Sequence, residues 1–156
     1  MKVLIIGAKG LLGSELVKVF KDHEVLAWDR DEIDITQDRE VSEKVLGLRP
    51  ALIINAAAYN NVDGAETEGD LARAVNGYAV GYLARVAKEL GAIMIQYSTD
   101  FVFSGETRVG YTEDATPAPV SVYGESKALG ELELQKNTDR FYLVRTTRLY
   151  GPLPAG

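Results

Sequence analysis

Apolar positions along the chain follow two alternating periods. Short continuous apolar runs at Val3-Leu4-Ile5-Ile6, at 25–28, 52–54, 93–97 and 142–144 predict five strands buried on both faces, as in a parallel sheet. The alternation Ile33-Asp34-Ile35 predicts a short sixth strand. Helical spacing fills the gaps. Leu11, Leu12, Leu16, Val19 and Phe20 share one face, as do Val41, Val45 and Leu48, closed by Pro50. Leu71, Val75, Tyr78, Tyr82, Val86 and Leu90 form a longer stripe that ends at Gly91, a residue suited to a helix C-terminus. Strand-helix alternation with right-handed crossovers predicts an α/β fold, a doubly wound parallel sheet with helices on both faces. No internal repeat or low-complexity linker interrupts it. The Gly/Pro/Thr-rich loop at 104–119 is long enough to carry function.

Composition narrows the chemistry. The chain has 156 residues, 46% hydrophobic and 26% charged, which suits one globular domain and excludes collagen-like, disordered and disulfide-framework classes. There is no cysteine, so thiolate nucleophiles and Cys-ligated metals are out. The single histidine, His23, reads as a solvated turn residue, and no metal site is expected. A net charge of −6 argues against a nucleic-acid partner. No apolar run is long enough to cross a membrane, and Met1-Lys2 leads straight into the first strand without the features of a signal peptide. A cytoplasmic location is expected.

The first chemical signal is Gly7-Ala8-Lys9-Gly10-Leu11-Leu12-Gly13, placed after the first strand and opening the first helix. Three glycines there serve a tight turn, close backbone approach to a pyrophosphate, and close helix-strand packing. The helix N-terminus adds free N–H groups and a positive dipole end. This context predicts a Rossmann-type dinucleotide site. Asp29 ends the second strand, 22 residues after Gly7, where a carboxylate bonds ribose hydroxyls. Arg30 follows and suits a 2′-phosphate, so NADH and NADPH both stay open. Asp34 and Ile35 suit an adenine amino group and ring. The rival reading makes Asp34 or Thr36 a helix cap.

The second signal lies at the other strand ends. Asn55-Ala56-Ala57-Ala58 puts small residues where a ligand approaches the backbone. Tyr97-Ser98-Thr99-Asp100 brings hydroxyls to the same edge. Tyr123 and Lys127, four apart, share a helix face. A nearby ammonium is expected to lower the phenol's pKa, so that Tyr123 can give a proton to a carbonyl oxygen while Thr99 polarises it.

Together these residues resemble the extended short-chain dehydrogenase/reductases, and within them the dTDP-4-dehydrorhamnose reductase family. The resemblance covers essentially the whole chain. Its specific elements are Val62-Asp63-Gly64-Ala65-Glu66 and Ser98-Thr99-Asp100-Phe101-Val102-Phe103, joined by Tyr123-Gly124-Glu125-Ser126-Lys127 and Arg145-Thr146-Thr147-Arg148-Leu149-Tyr150-Gly151. It implies an oxidoreductase of dTDP-rhamnose biosynthesis. The reaction would be NAD(P)H-dependent reduction of the C4 ketone of a dTDP-4-keto-6-deoxy sugar. Tyr123 would be the proton donor, with Lys127 holding the nicotinamide ribose and Thr99 assisting. Gly10, Leu11 and Leu12 would meet the pyrophosphate, Asp29 the ribose, and Asp34 with Ile35 the adenine. Ala57, Ala58, Tyr59 and Tyr97 would line the cofactor towards its nicotinamide. Thr99, Asp100 and Arg148 would face the nucleotide-sugar substrate. A homodimer is compatible with the resemblance.

Three departures stand out. Phe101 replaces a frequent tyrosine, and Arg148 a frequent tryptophan near the substrate. The chain also stops soon after its last motif, at Gly151-Pro152-Leu153-Pro154-Ala155-Gly156, whereas family members carry a second, substrate-shaping domain. Residues 1–156 therefore read as an N-terminal dinucleotide-binding domain, expected to bind cofactor and to lack turnover alone. Related dehydratases carry glutamate where Phe101 stands, and without that acid, elimination is disfavoured. An epimerase and a non-catalytic regulatory subunit that keeps the dinucleotide site are the alternatives.

Overall fold

The computed structural model describes residues 1–151, so the terminal stretch 152–156 lies outside the described residues. Five parallel strands form one sheet in the order β2-β1-β3-β4-β5. They are β1 (Lys2–Ile6), β2 (Glu24–Trp28), β3 (Leu52–Asn55), β4 (Ile93–Thr99) and β5 (Phe141–Thr146). The helices are α1 (Leu11–Val19), α2 (Asp38–Leu48), α3 (Gly69–Arg73), α4 (Ala79–Leu90) and α5 (Val122–Asn137). All five predicted strand runs form strands.

Alternation along each strand divides the core in two. Leu4, Ile6, Ile53 and Met94 point to the face covered by α2, α4 and α5, where they meet Val41, Val45, Val80, Leu83 and Leu134. Val3, Ile5, Leu52 and Ile54 point to the other face and pack with Leu16, Val17 and Phe20 of α1. Fully burying such a side chain contributes roughly 1.5–3 kcal/mol. On this second face α1 reaches only part of the sheet. Tyr142 on β5 is 64% exposed, and Val144 is also exposed.

Three expectations need correction. No strand forms at 33–35. Ile33 and Ile35 are both buried, but the backbone turns: Ile33 N donates to Asp29 O at 3.1 Å, and Thr36 N to Asp34 Oδ1 at 2.9 Å. Two buried isoleucines two residues apart imitate a strand without a ladder. Val19 does not face the core and is 72% exposed, because α1 lays Gly13, Leu16, Val17 and Phe20 on the sheet instead. The long stripe is broken by a π-helical turn, Ala74–Tyr78, between α3 and α4. Its wider turn shifts the helical phase, which leaves Leu71 and Tyr78 about half exposed and turns Val80, Leu83, Ala84 and Ala87 inward. The stripe does end as expected, on Gly91 in the left-handed conformation at φ 65°.

Candidate functional site

Strand order reverses between β1 and β3, since the chain builds β2 on one side of β1 and then crosses to the other. The carboxyl ends of two such strands diverge and leave a crevice. Both the glycine-rich loop after β1 and the alanine run after β3 open into it. Gly7 has φ 79°, and a methyl group there would lie 2.6 Å from Ala57 N. A methyl on Gly13 would lie 2.0 Å from the Gly7 carbonyl oxygen. Gly13 therefore lets α1 start directly against the turn, and it packs beneath the cleft rather than lining it. Gly10 is the N-cap of α1 and offers no side chain to its first N–H groups, which leaves those donors for an anion. Gly13→Ala is expected to cost about 1–3 kcal/mol of stability, because backbone on both sides must move. Chemical denaturation checks this, and an unchanged midpoint would contradict the packing argument.

The crevice continues in two directions. One arm, about 630 Å³, is lined by Gly7, Lys9, Gly10, Asp29, Arg30, Ile33, Asp34, Ile35 and Ala56 to Tyr59. Asp29 ties the strand end to the glycine loop: its carboxylate accepts from Lys9 N at 3.0 Å and Arg30 N at 2.9 Å. Asp34 caps no helix. It folds an Asx turn, its Oδ1 also taking the Thr36 hydroxyl at 2.7 Å, and these bonds hold its carboxyl below the ordinary range. The N-cap of α2 is Gln37, which makes no side-chain cap bond.

The other arm, about 890 Å³, is lined by Leu11, Leu12, Tyr97, Thr99, Asp100, Phe101, Tyr123, Lys127 and Arg148. Gly10, Ala56, Ala57 and Ala58 border both arms, so the groove is continuous. The Thr99 hydroxyl donates to Asp100 Oδ1 at 3.1 Å and accepts the Phe101 N–H at 3.2 Å. The Phe101 ring meets the Tyr123 ring edge-on at 5.6 Å. Lys127 is buried and its Nζ donates to the Tyr97 carbonyl at 2.7 Å. Desolvation pushes its pKa down to about 8, against the opposing pull of Glu131.

Tyr123 departs from expectation. Burial moves its pKa up, with the Thr99 hydroxyl pulling the other way and the Asp100 charge adding to the rise. The Lys127 ammonium, which donates one of its hydrogens to the Tyr97 carbonyl, is not among the causes that move it. The phenol therefore stays protonated at neutral pH.

Several supporting residues escaped the sequence reading. Asn76, in the π-helical turn, is buried and accepts the Tyr59 N–H at 2.9 Å. Its amide donates to Tyr59 O and Ser126 Oγ, both at 3.0 Å. Ser126 in turn donates to the Tyr123 carbonyl at 2.7 Å. The alanine-run loop is thus tied to α5. A polar residue inside an apolar helical stretch was the available signal. Glu66 accepts the Val122 N–H at 3.0 Å, and Ser121 Oγ the Gly124 N–H at 3.1 Å, so two side chains cap the helix start that carries Tyr123.

The family model described as the RmlD substrate binding domain matches residues 1–155. A dTDP-4-dehydrorhamnose reductase from Burkholderia thailandensis is 39% identical over 152 residues, covering 97% of this chain and 51% of that protein. The reductase of the same name from Escherichia coli K12 is 37% identical, with 97% and 52% covered. Among solved structures, a Bacillus anthracis dTDP-4-dehydrorhamnose reductase in complex with NADP superposes with a TM-score of 0.93 at 37% identity, covering 97% of this chain and 54% of that one. A Clostridium acetobutylicum orthologue gives a TM-score of 0.94 at 39% identity, with 97% and 55% covered. The chain spans about half the length of the curated relatives it matches.

Proposed function

Because the chain belongs to the RmlD substrate binding domain family, we propose that it is the dinucleotide-binding half of a reductase of a dTDP-4-keto-6-deoxy sugar. The reaction would turn dTDP-4-dehydrorhamnose into dTDP-L-rhamnose. The observation that carries this reading is the single groove that joins the glycine-rich loop to Thr99, Tyr123 and Lys127. Its uncapped helix start and its methyl-free floor at Gly7 fit a dinucleotide pyrophosphate.

A bound nicotinamide dinucleotide supplies the hydride. The chain's own residues do the rest. Leu11 and Leu12 present amides to the pyrophosphate, and Asp29 accepts from the adenosine ribose. Asp34 and Ile35 flank the adenine, Ala57, Ala58 and Tyr97 line the way to the reacting end, and Tyr59, expected there too, lies on the adenosine arm instead. Lys127 holds the nicotinamide ribose. Tyr123, kept protonated by burial, gives its phenolic proton to the C4 oxygen, and the Thr99 hydroxyl turns from Asp100 to donate to the same oxygen. Asp100 and Arg148 face the sugar nucleotide. Arg30 at the adenosine end suits a 2′-phosphate and Asp29 suits free hydroxyls, so the proposed cofactor is NADPH or NADH.

A substrate-shaping second half is part of this proposal, because the matched relatives are about twice as long as this chain. Among the described residues no helix is long and apolar enough to cross a membrane. The proposed setting is cytoplasmic, with a homodimer as the proposed assembly.

The test is cofactor oxidation by the protein carrying both halves, given dTDP-4-dehydrorhamnose with NADPH and NADH in separate assays. Turnover with either supports the reductase and ranks the cofactors. Tight cofactor binding without turnover would replace this reading with a different sugar nucleotide or a regulatory subunit. Cofactor that stays bound through purification and is recycled would point to an epimerase.

A further inference from the structure

Glu131 lies one helical turn beyond Lys127 on α5 and is buried. Its carboxylate accepts Ser98 Oγ at 2.6 Å, Arg145 Nε at 2.9 Å and Arg145 Nη2 at 2.7 Å. Ser98 and Arg145 are direct register partners on β4 and β5. One carboxylate thus clamps the helix bearing Tyr123 to the two strand ends that lead into Thr99 and into Thr146, Thr147 and Arg148. Those residues all line the second arm of the groove.

Arg145 extends the clamp outward. Its Nη1 donates to the Glu113 carbonyl at 3.1 Å, and its guanidinium lies 5.0 Å from the centre of the Phe103 ring. Phe103 stacks on Tyr111 at 4.1 Å, and the Tyr111 hydroxyl accepts the Gly105 N–H at 3.0 Å. The middle of the loop between β4 and α5 is therefore anchored through this guanidinium. At its far end Ala118 N returns to Val102 O at 2.8 Å. A buried ion pair adds little net stability over an apolar pair of similar volume, but its bidentate geometry fixes orientation. That makes its use here one of placement.

We infer that Glu131 and Arg145 are positioning residues, which hold the ends of β4 and β5 and the loop between β4 and α5 in register with Tyr123 so that the keto sugar seats against them. The identity of that substrate rests on the proposed reductase reading. Glu131 and Arg145 do not line the adenosine arm, so that end of the cofactor site is independent of them, whereas Glu131 also supports the Lys127 charge.

The experiment compares wild type with Arg145→Lys and with the paired replacement Glu131→Leu plus Arg145→Leu, in the protein carrying both halves. Arg145→Lys keeps the charge but loses the fork and the contacts to Glu113 and Phe103. The leucine pair removes both charges together and guards against a lone buried carboxylate. Melting temperature and NADPH affinity, read from the cofactor's own fluorescence, establish that each variant is folded and loaded. For Arg145→Lys, which keeps Glu131 beside Lys127, the expected result is a KM for the keto sugar raised about tenfold with kcat within about threefold, and in the leucine pair kcat falls as well. Trypsin nicking after Arg108, in the anchored loop, is expected to be about fivefold faster. Wild-type nicking and wild-type KM in either folded variant would overturn the inference. If the wild-type protein itself turns over no keto sugar, the reductase reading fails, and nicking at Arg108 alone still decides whether the clamp holds the loop.

Discussion

Tyr123→Phe in the protein carrying both halves is expected to lower kcat about 10³-fold, the range for loss of a positioned general acid. Cofactor affinity should stay within about twofold, because such a loss falls on the transition state rather than on ground-state binding. The ring itself remains, still edge-on to Phe101 at 5.6 Å, so packing around it is preserved. Only the hydroxyl near Thr99 is lost. Burial holds the Tyr123 phenol above its ordinary value, so the acid is loaded throughout the neutral range. A steady-state assay with NADPH and the keto sugar checks this, alongside a cofactor titration. Wild-type kcat in the folded variant would mean that the proton comes from elsewhere.

Lys127→Met is expected to separate function from stability. Turnover should fall about 10²-fold or more, and cofactor affinity should weaken, because the ammonium would hold the nicotinamide ribose. Stability responds differently. Burial lowers the Lys127 pKa from 10.5 to about 8, which corresponds to a cost of roughly 3 kcal/mol for keeping the ammonium charged inside the protein. Above about pH 8 the folded protein releases this proton while the unfolded chain still holds it. Wild type therefore gains stability as pH rises through that window, up to the ordinary lysine value, and below it the cost is fully present. The methionine variant has no such gain. Urea denaturation of both proteins at about pH 7 and about pH 10 should show wild type improving by roughly 2–3 kcal/mol relative to the variant. Parallel stability profiles would mean that Lys127 is better solvated than its position indicates.

Much of the architecture was written in local pattern. Buried parallel strands need continuous apolar runs, and all five are present. The glycine spacing placed the tight turn after β1 because only backbone without Cβ allows α1 to start against Gly7. The four-residue spacing of Tyr123 and Lys127 put them on one helix face. Where the period misled, a physical cause is visible. Ile33 and Ile35 are buried from a turn, and the π-helical turn at Ala74–Tyr78 moves the phase of the helix after it.

The buried face of α5 shows the limit most clearly. Tyr123, Ser126, Lys127, Gly130, Glu131 and Leu134 all face inward, and most are polar or lack a side chain. No hydrophobic stripe marks that helix, because its inward positions are filled by hydrogen-bonding groups whose partners lie on distant strands. The sequence by itself determined the strands, the glycine-rich turn and the identities of the acid-base candidates, since those depend on local sterics and periodicity. The tertiary structure alone decided that the two arms of the groove meet, that Lys127 donates to the Tyr97 carbonyl, and that Glu131 finds Ser98 and Arg145. Such pairings join residues remote in sequence, and their strength comes from shared burial that no local window contains.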